Sequence, residues 1–256
     1  VRSRRQRQMC IRDRCYFDGT NNAIFDCVNS LISNYDYPKI LVIDSDSPNK
    51  SYFKKLRSLS VEVLDSKNKN YDTGAYWIGF TKYNDYKNYY FLQDSIKIKK
   101  NLISFEKNNL TTFRYFHSID RVGGFKIDKT KKNLIKKLTD FFRINKKIHD
   151  VFGFDNNYQI EWSREQLKKT NYFLPKSWLS VFGPLFICKK VVMQKLYMNN
   201  FHKILPTNKI QQMCMERLFG IAFQQEGLDV SNSIQGENFS TSFENDKFEK
   251  TFYKRK

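Results

Sequence analysis

Apolar residues recur at Ile24, Cys27, Val28 and Leu31, three and four apart, as on one face of an amphipathic helix. Thr20 or Asn21 is placed to cap it. After Pro38 the pattern changes. Ile40-Leu41-Val42-Ile43 is an unbroken aliphatic run, the signature of a strand buried on both faces, and it stops at the polar Asp44-Ser45-Asp46-Ser47. Residues 49–59 return to helical spacing through Phe53, Leu56 and Leu59, and Val61 and Val63 mark a short strand. The unit then repeats. Asn70-Tyr71-Asp72-Thr73-Gly74 reads as a turn and cap, Ala75, Ile78 and Gly79 share one side of a helix, and Tyr89-Tyr90-Phe91-Leu92 is a strand ending in Gln93-Asp94-Ser95. Upstream, Cys15-Tyr16-Phe17 reads as the stub of a first strand.

Strands alternating with helices predict an α/β fold in a single domain, a mostly parallel central sheet flanked by helices. Such sheets take ligands outside the carboxyl ends of their strands, and Asp44, Asp46, Asp72 and Asp94 all fall at or near such ends. The second half is less regular. Residues 101–175 carry a Gly123-Gly124 break and a Lys-rich helical stretch at 130–147. Order returns at Trp178–Leu196, with a helix beginning near Lys189, and a further helix spans 207–222 with Ile210, Met213, Cys214, Leu218 and Ile221 facing inward. The chain from Gly227 is polar, although Phe248 to Tyr253 could dock.

Of the 256 residues, 40% are hydrophobic and 16% aromatic, which supports a large core and excludes disorder. The net charge of +19 suits nucleic acid, phosphate-bearing small molecules or an anionic membrane surface. Residues 1–14 alone, with six Arg and one Asp, supply +5 of it. That segment (VRSRRQRQMCIRDR) has no apolar periodicity and reads as a non-native extension resembling translated adapter sequence; a basic arm for nucleic acid is the other reading. The expected organisation is therefore an extension at 1–14, the domain at 15–226 and a polar, partly docked tail at 227–256. Five Cys form no CxxC pair, so buried reduced thiols in a cytosol are expected, and the three His form no metal-binding spacing. The three Trp could stack on sugar rings or pack in the core.

Asp18-Gly19-Thr20-Asn21 before a helix, ILVIDSDSPNK (40–50), NKNYDTGAYWIGF (68–80) and YYFLQDS (89–95), in this order and spacing, resemble family-2-type GT-A glycosyltransferases; WLSVFGPLFICKK and MERLFG extend the likeness to about residue 225. The resemblance implies a GT-A, Rossmann-like fold and transfer of a sugar from a nucleotide-sugar donor to a glycan or lipid-linked acceptor, with inversion. It implies donor-nucleotide contacts at Asp44, Asp46 and Asp72, a divalent cation (Mg or Mn) at Asp94, and Glu216 as base on the acceptor hydroxyl. Where the family carries Asp-x-Asp, this chain has Gln93-Asp94-Ser95, with one carboxylate. The setting this implies is cytoplasmic, with peripheral association at the inner face of the membrane and no specific nucleic acid. The alternatives are a basic nucleic-acid-binding protein or an inactive binding domain of the same fold. Each carboxylate also has a local use: Asp44, Asp46 and Asp72 as helix caps, Asp94 in a strand-end turn, Glu216 on a solvated helix face or in an ion pair beside Arg217.

Overall fold

The computed structural model describes residues 9–15, 17, 22–123, 125–126, 150–237 and 245–250, with backbone alone for 9–15, 125–126 and 150. The first half alternates strand and helix: β1 (Met9–Cys15), α1 (Ala23–Asn34), β2 (Lys39–Asp44), α2 (Tyr52–Ser58), β3 (Glu62–Asp65), α3 (Tyr71–Lys82) and β4 (Asn88–Leu92). Then come the short strands β5 (Ile96–Ile98), β6 (Leu110–Thr112), β7 (Tyr115–Val122), β8 (Phe125–Lys126) and β9 (Asp150–Phe154). The chain continues through α4 (Asn157–Leu167), β10 (Ser177–Val181), β11 (Phe186–Lys189), α5 (Lys190–Met198), α6 (Lys209–Gln225) and β12 (Phe248–Lys250).

The large sheet has six strands in the order β3-β2-β1-β4-β11-β6. β3, β2, β1 and β4 run parallel; β11 is antiparallel to β4 and β6 to β11. The sheet is thus mixed, not mostly parallel as the βα alternation suggested. The reason lies in the connection. β4 and β11 are not joined by a single crossover helix of the kind that makes neighbouring strands parallel, and the strands of the second sheet intervene between them. A second, four-stranded sheet (β10-β7-β9-β8) and the β12-β5 pair complete the fold.

Period-two alternation in the buried strands builds a core on each face. Leu41, Ile43, Tyr89, Phe91, Phe186 and Cys188 join the cluster under α3, α5 and α6, whereas Ile40, Val42, Tyr90, Leu92 and Ile187 join the one under α1 and α2. Cys27, Cys188 and Cys214 are buried free thiols, Trp77 and Trp178 are core residues, and Trp162 packs against the core.

Three expectations shift. The first strand is Met9–Cys15, not Cys15-Tyr16-Phe17, so six residues assigned to an extension lie in a central strand. Its slot between β2 and β4 is held by backbone hydrogen bonds, which side-chain periodicity does not report. Asn22, not Thr20 or Asn21, stands at the N-cap of α1. Ile210 and Met213 on α6 are 42% and 36% exposed, while Met215, Phe219, Ala222 and Phe223 are buried beside Cys214, Leu218 and Ile221. The segment 130–147 and the turn Asp18–Asn21 lie outside the described residues. Phe248 is fully buried against Phe113, and β12 pairs antiparallel with β5. Among the described residues no helix is long and apolar enough to cross a membrane.

One charged cluster pins the β3 edge. Glu62 accepts from Lys39 (2.9 Å), Lys82 (2.8 Å) and the Tyr83 hydroxyl. Burial raises its pKa, but these partners outweigh burial and hold the carboxyl at about 2. A depressed acid contributes stability above its unfolded value, here 4.5, and loses it as pH falls towards 2. Chemical denaturation between pH 5 and pH 2 is therefore expected to show a loss of stability that Glu62→Gln removes. Parallel pH curves for the two proteins would refute this.

Candidate functional site

The order 3-2-1-4 reverses direction between β1 and β4, and the crevice at such a reversal is where open α/β sheets take ligands. The loops at the carboxyl ends of these strands are tied to one another. The Phe17 backbone N–H donates to Ser47 Oγ at 3.0 Å, joining the segment after β1 to the loop after β2. The Asn68 amide donates to Ser45 Oγ (2.9 Å) and to the Tyr71 carbonyl (2.7 Å), joining that loop to the first turn of α3.

Asp44 ends β2 with no solvent exposure. Its carboxylate accepts from the Tyr52 hydroxyl at 2.6 Å and from the Ser47 backbone N–H at 3.2 Å, and Lys50 Nζ lies 3.5 Å away and bridges to Asp65 at 2.6 Å. These bonds fold the loop over the strand end, so the described role of Asp44 is to shape the loop. Asp46 is exposed, with its backbone in the left-handed region (φ 61°), and stands outside this hydrogen-bond network.

Asp72 and Glu216 are joined through a shared network. Asp72, buried in the first turn of α3, accepts from the Gln93 amide nitrogen at 2.5 Å. The same nitrogen donates to the Gly183 carbonyl at 3.1 Å, and the Gly183 N–H donates to Glu216 Oε1 at 3.0 Å. Gly183 has φ 64°, which glycine adopts without strain and which turns both of its polar groups inward to this network. Asp94 is half-buried in the turn after β4, next to Gln93. Asp72 and Glu216, from two elements, are thus linked through one amide and one glycine, and Asp94 follows that amide in sequence. Burial raises the pKa of Glu216, opposed in turn by Arg217, the Gly183 N–H, Lys250 and Lys209. Arg217 faces away, its guanidinium donating to the Gly153 carbonyl at 2.6 Å and lying over the Phe154 ring. The ion-pair reading of Glu216 with Arg217 is therefore replaced by a contact with Gly183.

Sequence reasoning missed Gln93, Gly183 as a hydrogen-bonding hub, and Lys250. Lys250, on β12, donates through Nζ to Gln93 Oε1 and sits over the Phe182 ring at 5.9 Å. This arrangement does not fit a metal held at Asp94. Where a second carboxylate would stand, Gln93 presents an amide whose oxygen is taken by an ammonium group and whose nitrogen occupies Asp72. A divalent cation beside that ammonium group would be repelled. Among the described residues no three His, Cys, Asp or Glu side chains are grouped to hold a metal ion.

No protein-family model and no curated protein matches the chain. It is similar to solved structures of GalNAc-T7 with UDP, GalNAc and Mn2+ (14% identity, 86% of this chain and 40% of that one, TM-score 0.47). It is likewise similar to S. aureus TarS (11% identity, 97% and 37%, TM-score 0.47) and to CMP:2-keto-3-deoxy-manno-octonic acid synthetase complexed with CTP (8% identity, 90% and 88%, TM-score 0.42). The chain spans 40% of the GalNAc-T7 chain and between 37% and 60% of the TarS chains.

Proposed function

We propose that this protein transfers a sugar from a nucleoside-diphosphate donor to the hydroxyl of a glycan or lipid-linked acceptor, with inversion. The observation that supports this reading is the linkage of Asp72 to Glu216 through Gln93 and Gly183, at the carboxyl ends of the strands where the order reverses. The acceptor oxygen forms a bond to the anomeric carbon as the bond from that carbon to the diphosphate oxygen breaks. The acceptor proton passes to Glu216, and the bonding pair leaves with the diphosphate. A carboxylate whose pKa is raised by burial is a stronger base than an exposed one.

Asp72 and Asp94 accept hydrogen bonds from donor hydroxyls. Asp44 acts through the loop it folds, and Asp46 offers an exposed carboxylate to the nucleoside. The test is calorimetric binding of UDP and GDP to the full chain and to Asp94→Ala, whose half-exposed turn tolerates the change. Binding by the natural sequence, weakened about 10-fold or more by the substitution, is expected. A folded protein that binds neither nucleotide would overturn the reading for these donors.

A further inference from the structure

The carboxylates that define the site pose a physical problem. Asp72 and Glu216 bring carboxylates to the strand ends, and a nucleoside diphosphate brings more negative charge, increasing as the glycosidic bond breaks. Some cation must offset it, and the amide and ammonium group at Gln93 do not suit a metal ion beside them. On the reading proposed above, we infer that Lys250 takes that place: its ammonium group binds the diphosphate of the donor and neutralises the leaving group, without a divalent ion.

Three observations carry this. First, Lys250 is held at the strand ends. β12 pairs antiparallel with β5, which begins two residues after Asp94, with Lys250 opposite Ile96, and the fully buried Phe248 anchors the strand. Second, its Nζ bonds Gln93 Oε1, the residue that replaces the missing carboxylate, so the cation stands at the point where the metal-holding pattern is broken. Third, Lys250 is linked to the base through Gln93 and Gly183, and its charge is among those that favour ionised Glu216. The Gln93 amide sets the distance. Its nitrogen is fixed between Asp72 and the Gly183 carbonyl, so its oxygen presents a fixed acceptor to the lysine. An ammonium group on a flexible stem exchanges this neutral acceptor for a phosphate oxygen, a stronger one.

The assignment makes residues beyond 227 part of the site, whereas the sequence reads them as a polar tail. It also explains how one carboxylate can suffice at Gln93-Asp94-Ser95.

The test is calorimetric binding of UDP, GDP and CDP, and of the matching nucleosides, in EDTA, to the full chain. Lys250→Met and Lys250→Gln serve as two neutral variants, Lys250→Arg keeps the charge, and Lys168→Met, exposed at the residue after α4, controls for general loss of positive charge. Unfolding midpoints confirm that each is folded. The expected result is diphosphate binding without metal, weakened about 10-fold or more in both neutral variants, largely restored in Lys250→Arg and unchanged in Lys168→Met, with nucleoside binding unaffected. Diphosphate binding that the neutral variants leave intact, or that appears only with Mn2+, overturns the assignment while the transfer reading stands. A folded protein that binds none of the nucleotides overturns the transfer reading and this assignment with it.

Discussion

Glu216→Gln is expected to lower sugar transfer by about 100-fold to 10,000-fold while leaving donor binding unchanged, the range seen when a positioned general base is removed. The substitution keeps the shape of the side chain, and its amide oxygen can still accept from the Gly183 N–H, so the turn that carries Gly183 stays in place. Only the ability to take a proton is lost. The measurement is release of UDP or GDP from UDP-glucose, UDP-N-acetylglucosamine or GDP-mannose in the presence of a glycan mixture, with donor affinity from calorimetry. The pH profile gives a second readout. Glu216 must be ionised to act, and burial pushes its pKa above the ordinary 4.5 against the pull of Arg217, Gly183, Lys250 and Lys209. Activity should therefore rise with pH along a limb centred above 4.5, and Glu216→Gln should flatten that limb. A variant with full activity, or with an unshifted limb, would remove Glu216 from the chemistry.

The residues that made this site visible in the sequence did so by ending strands. Ile40-Leu41-Val42-Ile43 and Tyr89-Tyr90-Phe91-Leu92 are apolar at consecutive positions because both faces are covered, and that alone located Asp44 and Asp94. Glu216 was legible only through the resemblance of MERLFG to the later half of the family. The orientation of its helix was not. α6 buries most of its circumference between the core and β10, and 3.6-residue spacing cannot separate Met213, exposed, from Met215, buried. The second sheet escaped because β7, β9 and β10 mix polar and apolar residues, and one of its pairings joins positions as distant as Ser118 and Ser180, whose hydroxyls meet at 2.7 Å. Lys250 escaped for the same reason in a stronger form. Its partner Gln93 lies 157 residues away, and no local pattern encodes such a contact. In the sequence, the aromatic residues between Phe248 and Tyr253 were the hint that this segment could dock.

Gly220→Ala tests the same packing with opposite expectations from sequence and from structure. Within a helix, alanine is favoured over glycine by about 1 kcal/mol, so the sequence of α6 read alone predicts a stabilising change. In the structure a Cβ on Gly220 would lie 2.0 Å from the Leu179 carbonyl oxygen and 2.7 Å from Ser180 Cα, both backbone atoms of β10. The strand cannot swing aside cheaply. The Gln224 side chain clamps Leu179 from both directions, donating to its carbonyl at 2.8 Å and accepting from its N–H at 3.2 Å. The overlap must be relieved by pushing α6 off the sheet, and overpacking of this kind costs about 3 kcal/mol, which outweighs the helical gain. The expected result is a fall in the thermal midpoint of about 5–10 °C, against little change for Met213→Ala on the exposed side of the same helix. The lesion should reach the site as well. Glu216 sits one turn before Gly220 on α6, and Gly183 follows β10 by two residues, so separating helix from strand lengthens the 3.0 Å bond that joins them. Gly220→Ala should therefore lose transfer activity at temperatures where it is still folded. A variant as stable and as active as the natural sequence would mean that α6 and β10 do not approach this closely, and the shared position of Glu216 and Gly183 would lose its structural basis.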